Sequence, residues 1–264
     1  MNFKNKIVWI TGASSGIGEA LVYALNHQGA KLIISSRKAE TLYKVKQHCK
    51  KNPLDVHVLP LDLEQKETLF TKAEDAWKIY GQIDILMNAG GISQRSQVIE
   101  TDVKVEEKIM NTNFWGSVYL SKALLPKMIE KGGGHLVVIS SLVGKFGTQF
   151  RSTYSASKHA LHGYFDSLRC EVYDKGIEVS IICPGFIKTN VTINSVTANG
   201  EKYGLMDENQ ANGMSAEACA EEILSAIEKK KEEVLIGGKE KLGVYVKRFF
   251  PKFFSKKIRK QKVT

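Results

Sequence analysis

The sequence predicts an α/β fold built on a doubly wound, seven-stranded parallel sheet with helices on both faces. Two observations carry that prediction: short apolar runs recur as unbroken hydrophobic blocks, and segments of helical spacing lie between them. A strand covered on both faces must be apolar throughout, as in parallel sheets, whereas a strand with one wet face alternates. Strand then helix, repeated, gives the doubly wound arrangement.

The strands follow in order. They are "KIVWI" (6–10), "KLIIS" (31–35), "VHVLPL" (56–61), "IDILM" (83–87), "HLVVIS" (135–140), "VSIIC" (179–183) and "EVLIG" (233–237). Between them, Ile17, Leu21, Ala24 and Leu25 recur at helical spacing, as do Leu161, Tyr164, Phe165 and Leu168. Residues 186–213, rich in Asn, Gly and Thr, have no clear period; a loop this long inside a compact domain is expected to be functional, a lid over a site. The expected organisation is one catalytic-type domain over 1–238 and a basic, aromatic tail over 239–264.

Composition narrows the function classes. At 264 residues, with 43% hydrophobic and 25% charged residues, the chain is long enough for one large core and is unlike disordered, collagenous or disulfide-scaffold proteins. No window reaches the length of a membrane span, and no signal-type segment precedes the first strand, so a cytoplasmic location is expected. Cys49, Cys170, Cys183 and Cys219 have neither CxxC nor metal-type spacing, so neither disulfide nor metal is expected. The net charge of +10 is local: residues 239–264 hold ten Lys/Arg against Glu240 alone, a net of +9 that leaves +1 for the rest. A nearly neutral domain with a basic tail argues against a nucleic-acid partner.

Two stretches point to a cofactor. "TGASSGIG" (11–18) follows the first strand and opens the first helix; its glycines let the backbone turn tightly, and the free N–H groups of the helix start favour an anion such as a pyrophosphate. That position predicts a dinucleotide. At the end of the second strand, "ISSRK" has Ser36 where an NAD site commonly carries an acid, with Arg37 and Lys38 beside it. Arginine there suits a ribose 2′-phosphate, so NADP(H) is the expected cofactor.

Taken with these, Asp62 after the third strand, "NAG" (88–90) after the fourth, Asn113 in "NTNFWG", Ser141 in "ISS", "YSASK" (154–158) and "PGFIKT" (184–189) resemble, in order, the motif series of the short-chain dehydrogenase/reductase family. The resemblance spans 6 to about 238, with "NAGG" after Met87 in place of the frequent "NNAG". It implies a Rossmann-like fold and an oxidoreductase that interconverts a carbonyl and a secondary alcohol. It also implies a cofactor held by Gly12, Ser14, Ser15, Ile17 and Gly18 at the phosphates, Arg37 at the 2′-phosphate, Asp62 and Leu63 at adenine, and Asn88 with Ala89 and Gly90 near the ribose. Tyr154 and Lys158 would meet the nicotinamide ribose, and Ile187 and Thr189 the carboxamide. Asn113, Ser141, Tyr154 and Lys158 would be the catalytic set, with Ser141 and Tyr154 at the substrate and Asn113 holding a water that links Lys158 to solvent. A homo-oligomer, dimer or tetramer, is implied as well.

The chemistry of "YSASK" fits that role. Reduction of a ketone requires a proton for the nascent alkoxide, and free tyrosine, near 10, is too weak an acid at neutral pH. Tyr154 and Lys158, at i and i+4, share one helix face, where the ammonium favours tyrosinate. Ser141, at the end of the fifth strand, is positioned to donate to the substrate oxygen.

Leu142, Val143, Phe146, Phe186 and the loop carrying Tyr203, Leu205 and Met206 are the expected pocket wall, which suits a lipid- or steroid-like carbonyl. The stretch 194–215 and the Phe-rich basic terminus narrow the resemblance to a branch associated with reduction of acyl- or alkyl-dihydroxyacetone phosphate. Two alternatives stand beside it: a 3-oxoacyl carrier-protein reductase, whose chains usually end soon after the last strand while this one runs 26 residues past Gly238, and a non-catalytic cofactor-binding scaffold. In the tail, Pro251 suits the first position of a helix with Phe250, Phe253, Phe254 and Ile258 on one side and Lys252, Lys256, Arg259 and Lys260 largely on the other. That pattern leaves two readings open: the aromatics dock on the domain or cover its pocket, or the tail makes peripheral contact with an anionic membrane.

Overall fold

The computed structural model describes residues 3–261. The strands are β1 (Ile7–Thr11), β2 (Lys31–Ser35), β3 (Val56–Val58), β4 (Ile85–Asn88), β5 (Gly134–Ile139), β6 (Ile177–Pro184), β7 (Ile187–Lys188), β8 (Met214–Ser215) and β9 (Glu233–Ile236). The helices are α1 (Gly16–His27), α2 (Ala39–His48), α3 (Lys66–Tyr80), α4 (Val103–Met110), α5 (Gly116–Glu130), α6 (Ser152–Val172), α7 (Glu208–Ala211), α8 (Ala216–Glu228), α9 (Leu242–Phe249) and α10 (Pro251–Ile258). Seven strands form one sheet in the order β3-β2-β1-β4-β5-β6-β9, all neighbours parallel, while β7 and β8 pair separately.

The unbroken apolar runs are explained by where alternate residues go. Val8 and Ile10 of β1 pack with Leu21 and Leu25 of α1, Leu42 of α2 and Ile223 of α8. Ile7 and Trp9 point the other way, to Leu69 of α3, Leu120 and Leu124 of α5 and Phe165 of α6. Successive strand residues serve opposite faces, so a sheet with a core on each side has no position for a polar side chain except where a partner waits. Trp9 has such a partner, donating from its indole N–H to Ser35 Oγ at 2.9 Å in the interior. Met87, the departure before "NAG", is buried in the first of these cores.

All seven expected strands form the sheet, the third shorter than expected. β3 ends at Val58, although Leu59 and Leu61 still donate to Ile34 O and Ser36 O at 3.0 and 3.1 Å, so Pro60 falls at the edge-facing position between them, where no N–H to β2 is required. The aperiodic stretch 186–213 contains β7 and the single turn α7 and doubles back on itself, with Tyr203 N donating to Ser195 O and Gly204 N to Ile193 O. The tail folds as two short helices, of which only α10 was legible; Pro251 does occupy its first turn. Val244, Phe254 and Ile258 pack into the second core, and Phe254 meets Phe146 edge-on with ring centroids 5.1 Å apart. The final tail residues, 262–264, lie outside the described region.

Candidate active site

The carboxyl ends of β1, β2, β4, β5 and β6 open into one cavity of about 740 Å³, which runs from the glycine-rich turn to α9 and α10. Such a crevice is where open parallel sheets bind ligands. At the first end the chain turns through Gly12, whose φ of +67° suits glycine and whose added Cβ would lie 2.6 Å from Gly90 Cα. A Cβ on Gly18 would lie 2.2 Å from Gly12 O, so α1 starts hard against the turn. Gly12, Ser14, Ser15, Ile17, Gly18, Arg37, Asp62, Leu63, Ala89, Gly90, Ile187 and Thr189 all line the cavity, as the motif series implied. Ser36 lines it too, and its buried Oγ has no hydrogen-bond partner within the protein. The close glycine cradle, the helix start and a buried hydroxyl left for a ligand fit a dinucleotide.

Asn88 does not line the cavity. Its side chain is buried and its amide donates to Ser121 Oγ of α5 at 3.1 Å, tying β4 to that helix from below. That bond supports the strand end on which Ala89 and Gly90 sit, while the buried Oδ1 of Asn88 has no hydrogen-bond partner within the protein.

The other end of the cavity holds Ser141, Tyr154 and Lys158. Ser141 follows β5, donating to Pro184 O and accepting from Val143 N–H, both at 3.3 Å. These long bonds hold the hydroxyl loosely enough for a substrate oxygen to compete. Lys158 is buried, donates to Ile139 O at 2.8 Å, and has its Nζ 5.8 Å from the centroid of the Tyr154 ring. Burial lowers its pKa to about 8, against a raising contribution from Cys183. Asn113 lies behind them, fully buried in a π-helical turn, Asn111–Trp115, that joins α4 to α5. Its Oδ1 accepts from Ile92 N–H at 2.8 Å, and its Nδ2 donates to Ile92 O at 2.9 Å and Ser157 Oγ at 3.0 Å. It does not line the cavity but fixes the loop after β4 to the helix that carries Tyr154 and Lys158. Irregular turns of this kind often occur at functional sites.

Tyr154 departs from the expectation built on spacing alone. Burial raises its pKa; the opposing influences are Arg151 first, then the neighbouring Ser141 hydroxyl, then Arg95. The i+4 ammonium donates to Ile139 O while lying 5.8 Å from the tyrosine ring centroid, and two arginines from outside the motif add to the positive charge that favours tyrosinate. Both arginines line the cavity, and both donate from Nη2 to the same oxygen, Oδ2 of Asp207, at 2.9 Å for Arg95 and 3.2 Å for Arg151. Burial lowers the pKa of each, Arg151 to about 10, with Asp207 opposing the shift in both. The trio carries one net positive charge, and neither buried Nε has a hydrogen-bond partner within the protein. Gln94, next in sequence to Arg95, accepts from the N–H groups of Thr153 and Tyr154 at 3.0 and 3.2 Å and so satisfies the start of α6 beside the tyrosine. Sequence reasoning missed Gln94, Arg95, Arg151 and Asp207; "QR" soon after "NAGG" was the one local signal.

Leu142, Val143, Phe146 and Phe186 form the expected apolar wall, and Phe254 and Ile258 of α10 extend it. Tyr203, Leu205 and Met206 do not reach the cavity. The doubled-back loop turns Lys202 inward, while Leu205 and Met206 lie exposed. Glu240 holds the tail to the site, accepting from Phe186 N–H at 3.2 Å and Gly238 N–H at 3.0 Å. Behind Ser140, His162 Nε2 lies 3.1 Å from its Oγ and 3.7 Å from Cys183 Sγ, and Glu233 lies 3.3 Å from His162 Nδ1. His162, Cys183 and Glu233 thus bring three ligand-type atoms within 4.8 Å of one another, a grouping that cysteine spacing did not reveal. Glu233 also pairs with Lys145, and its pKa falls to about 2, chiefly through His162 and against burial, with Lys145 assisting.

A phosphate-type glycine turn, a serine at the end of β5 and a Tyr/Lys pair on the next helix define an oxidoreductase class, and the chain belongs to the short-chain dehydrogenase/reductase family. The family model for short chain dehydrogenases matches residues 6–200. Among individual relatives, dehydrogenase/reductase SDR family member 7B of Danio rerio is 38% identical over 260 residues, which cover 96% of this chain and 84% of that protein. A short-chain dehydrogenase from Streptomyces avermitilis superposes with a TM-score of 0.81 at 27% identity, over 96% of this chain and 95% of the other. A short-chain dehydrogenase/reductase from Burkholderia phymatum, solved in complex with NAD, gives a TM-score of 0.84 at 19% identity, covering 100% of this chain and 98% of its own, and is alike in fold.

Proposed function

We propose that this oxidoreductase is an NADP(H)-dependent carbonyl reductase whose substrate is amphiphilic, with an apolar body and an anionic group. The observation that carries the substrate reading is the Arg95–Asp207–Arg151 trio beside Tyr154, opposite a wall of Leu142, Val143, Phe146, Phe186, Phe254 and Ile258. An apolar wall alone suits any lipid- or steroid-like ketone. One net positive charge with two unpartnered Nε–H donors adds a preference for a substrate anion. Such a pair of features agrees with the acylated or alkylated phosphate ketones of the branch resembled above. Arg37 and the unpartnered Ser36 Oγ support a 2′-phosphate, hence NADP(H).

A nicotinamide bound in the cleft would supply the hydride. Tyr154 transfers its hydroxyl proton to the substrate oxygen; burial opposes its ionisation, and Arg151, the Ser141 hydroxyl and Arg95 favour the tyrosinate that forms. Ser141 donates a second hydrogen bond to that oxygen as charge develops, giving up its long bond to Pro184 O. Lys158 and the arginines stabilise the tyrosinate left behind. Asn113 keeps the loop after β4 fixed to α6 throughout.

The test is a screen that follows NADPH absorbance with ketosteroids, 3-oxoacyl thioesters and acyl-dihydroxyacetone phosphates. The reading expects the phosphate ketones to turn over best and to lose that advantage in Arg151→Met. Equal turnover of neutral and anionic ketones, unchanged in that variant, would overturn the anion assignment.

A further inference from the structure

The helical hairpin α9–α10 has two apolar sides. The inner one belongs to the pocket: Phe254 and Ile258 line it, and Gly243 of α9 faces the rings of Phe146 and Phe254. The outer one is uncovered. Leu242, Tyr245 and Phe249 recur along one face of α9, and Phe250 and Phe253 continue the stripe into α10; all five are between 54% and 70% exposed. Five large apolar side chains exposed within residues 242–253 are more than the scattered exposure of an ordinary surface.

The charge around the stripe has one sign. Arg248, Lys252, Lys256 and Lys257 are exposed on the same two helices, and among the described residues none of them makes an ion pair. The segment's single acid, Glu240, is turned inward onto Phe186 and Gly238. Lys257 lies over the Phe253 ring, its Nζ 5.6 Å from the centroid, so cation and aromatic face the same side. Among the described residues no helix is long and apolar enough to cross a membrane. Aromatics ringed by unpaired lysines, on a short element lying flat on the domain, match the boundary of an anionic bilayer, where rings enter the headgroup layer and ammonium groups meet acidic lipids.

We infer that the outer face of the α9–α10 hairpin is a docking surface for an anionic lipid bilayer, which sets the Phe254/Ile258 side of the substrate pocket against the membrane. Docking requires only the exposed aromatics and cations of this face. Its consequence, that an amphiphilic ketone enters from the lipid phase past Phe254 and Ile258, rests on the proposed substrate. Such docking would put the tail's two expected roles, covering the pocket and meeting the membrane, on opposite sides of the same hairpin.

Full-length protein is mixed with phosphatidylcholine vesicles, with and without phosphatidylserine, and sedimented at low and high salt. The expected result is binding to the serine-containing vesicles only, weakened by salt. It should drop at least about tenfold when Phe249→Ser, Phe250→Ser and Phe253→Ser are combined, and by a similar factor in Lys252→Glu with Lys256→Glu. These side chains do not line the cavity, so NADPH oxidation with a water-soluble ketone should persist in both variants. That control separates failure of docking from failure of the proposed function. If the intact protein ignores phosphatidylserine at low salt, or if the serine substitutions leave binding unchanged, the inference is overturned. A self-associated form that those substitutions dissolve, without vesicle binding by the parent protein, would instead assign the stripe to a second copy of this chain.

Discussion

Replacing Asp207 with asparagine tests whether the buried arginine pair acts on the tyrosine. The substitution is close to isosteric, and asparagine caps helices as well as aspartate, so the bond from Asn209 N–H that starts α7 should survive. What disappears is the charge. Two guanidinium groups that meet on one oxygen lie within about 6 Å of each other, and at an effective dielectric constant near 20 their repulsion is about 3 kcal/mol. Stranding one member of a buried pair typically costs about 3–5 kcal/mol, of which a remaining neutral hydrogen bond offsets about 1 kcal/mol, so the expected destabilisation is about 2–4 kcal/mol. Urea unfolding measures it, and adding Arg95→Leu should recover part of the loss by removing the uncompensated cation. The pH profile supplies a second readout. With Asp207 gone the arginines favour tyrosinate more strongly, so ketone reduction, for which the proposed mechanism requires protonated Tyr154, should fall off at lower pH than in the parent enzyme. A destabilisation below about 0.5 kcal/mol, the scale of an ordinary surface change, together with an unmoved profile, would refute the coupling.

Tyr154→Phe keeps the ring and removes the transferable proton; turnover should fall on the order of 10² to 10⁴-fold while NADPH still binds, as measured by cofactor fluorescence alongside kinetics. Arg37→Ala should weaken NADPH by about 1.5–3 kcal/mol and leave NADH nearly unchanged, and equal losses in titrations of the two would dissociate Arg37 from the 2′-phosphate. His135, buried in β5 within 2.8 Å of Ser180 Oγ, has its pKa lowered to about 4 mainly by burial, with Glu178 opposing and Lys230 assisting. The unfolded chain binds that proton first, so stability is intact above pH ~6.5 and declines by up to about 3 kcal/mol as pH falls toward ~4. His135→Leu should lack that component in unfolding curves taken across the same range.

The sheet was legible because its cause is local. A strand between two cores has to be apolar at every position, and β1 carries Ile7, Val8, Trp9 and Ile10 for that reason. The glycine turn was legible for a similar reason: Gly12 and Gly18 sit where another atom would collide with backbone, and no distant residue relieves that contact. The limits were equally local. The third run continues alongside β2 through Leu59 and Leu61 although the regular strand ends at Val58, a distinction that hydrophobicity does not carry.

The active site separates into a part carried by motifs and a part carried by the fold. Ser141, Tyr154 and Lys158 come together because β5 ends where α6 begins its climb past it, a relation fixed within eighteen residues of chain. The arginine trio has no such economy: Arg95 follows β4, Arg151 precedes α6, and Asp207 starts α7 over a hundred residues beyond Arg95. No spacing rule could join them, because their meeting depends on the 186–213 loop folding back over the cavity mouth. The i, i+4 spacing correctly put Lys158 on the tyrosine's face of α6, yet spacing cannot say that the ammonium's hydrogen would go to Ile139 O. The charge around Tyr154 therefore depends on the 186–213 loop, which brings Asp207 to the arginines, as well as on the motif. A substrate that displaces Asp207's arginines, or whose anion competes with Asp207 for them, would change the proton donor at the moment it binds.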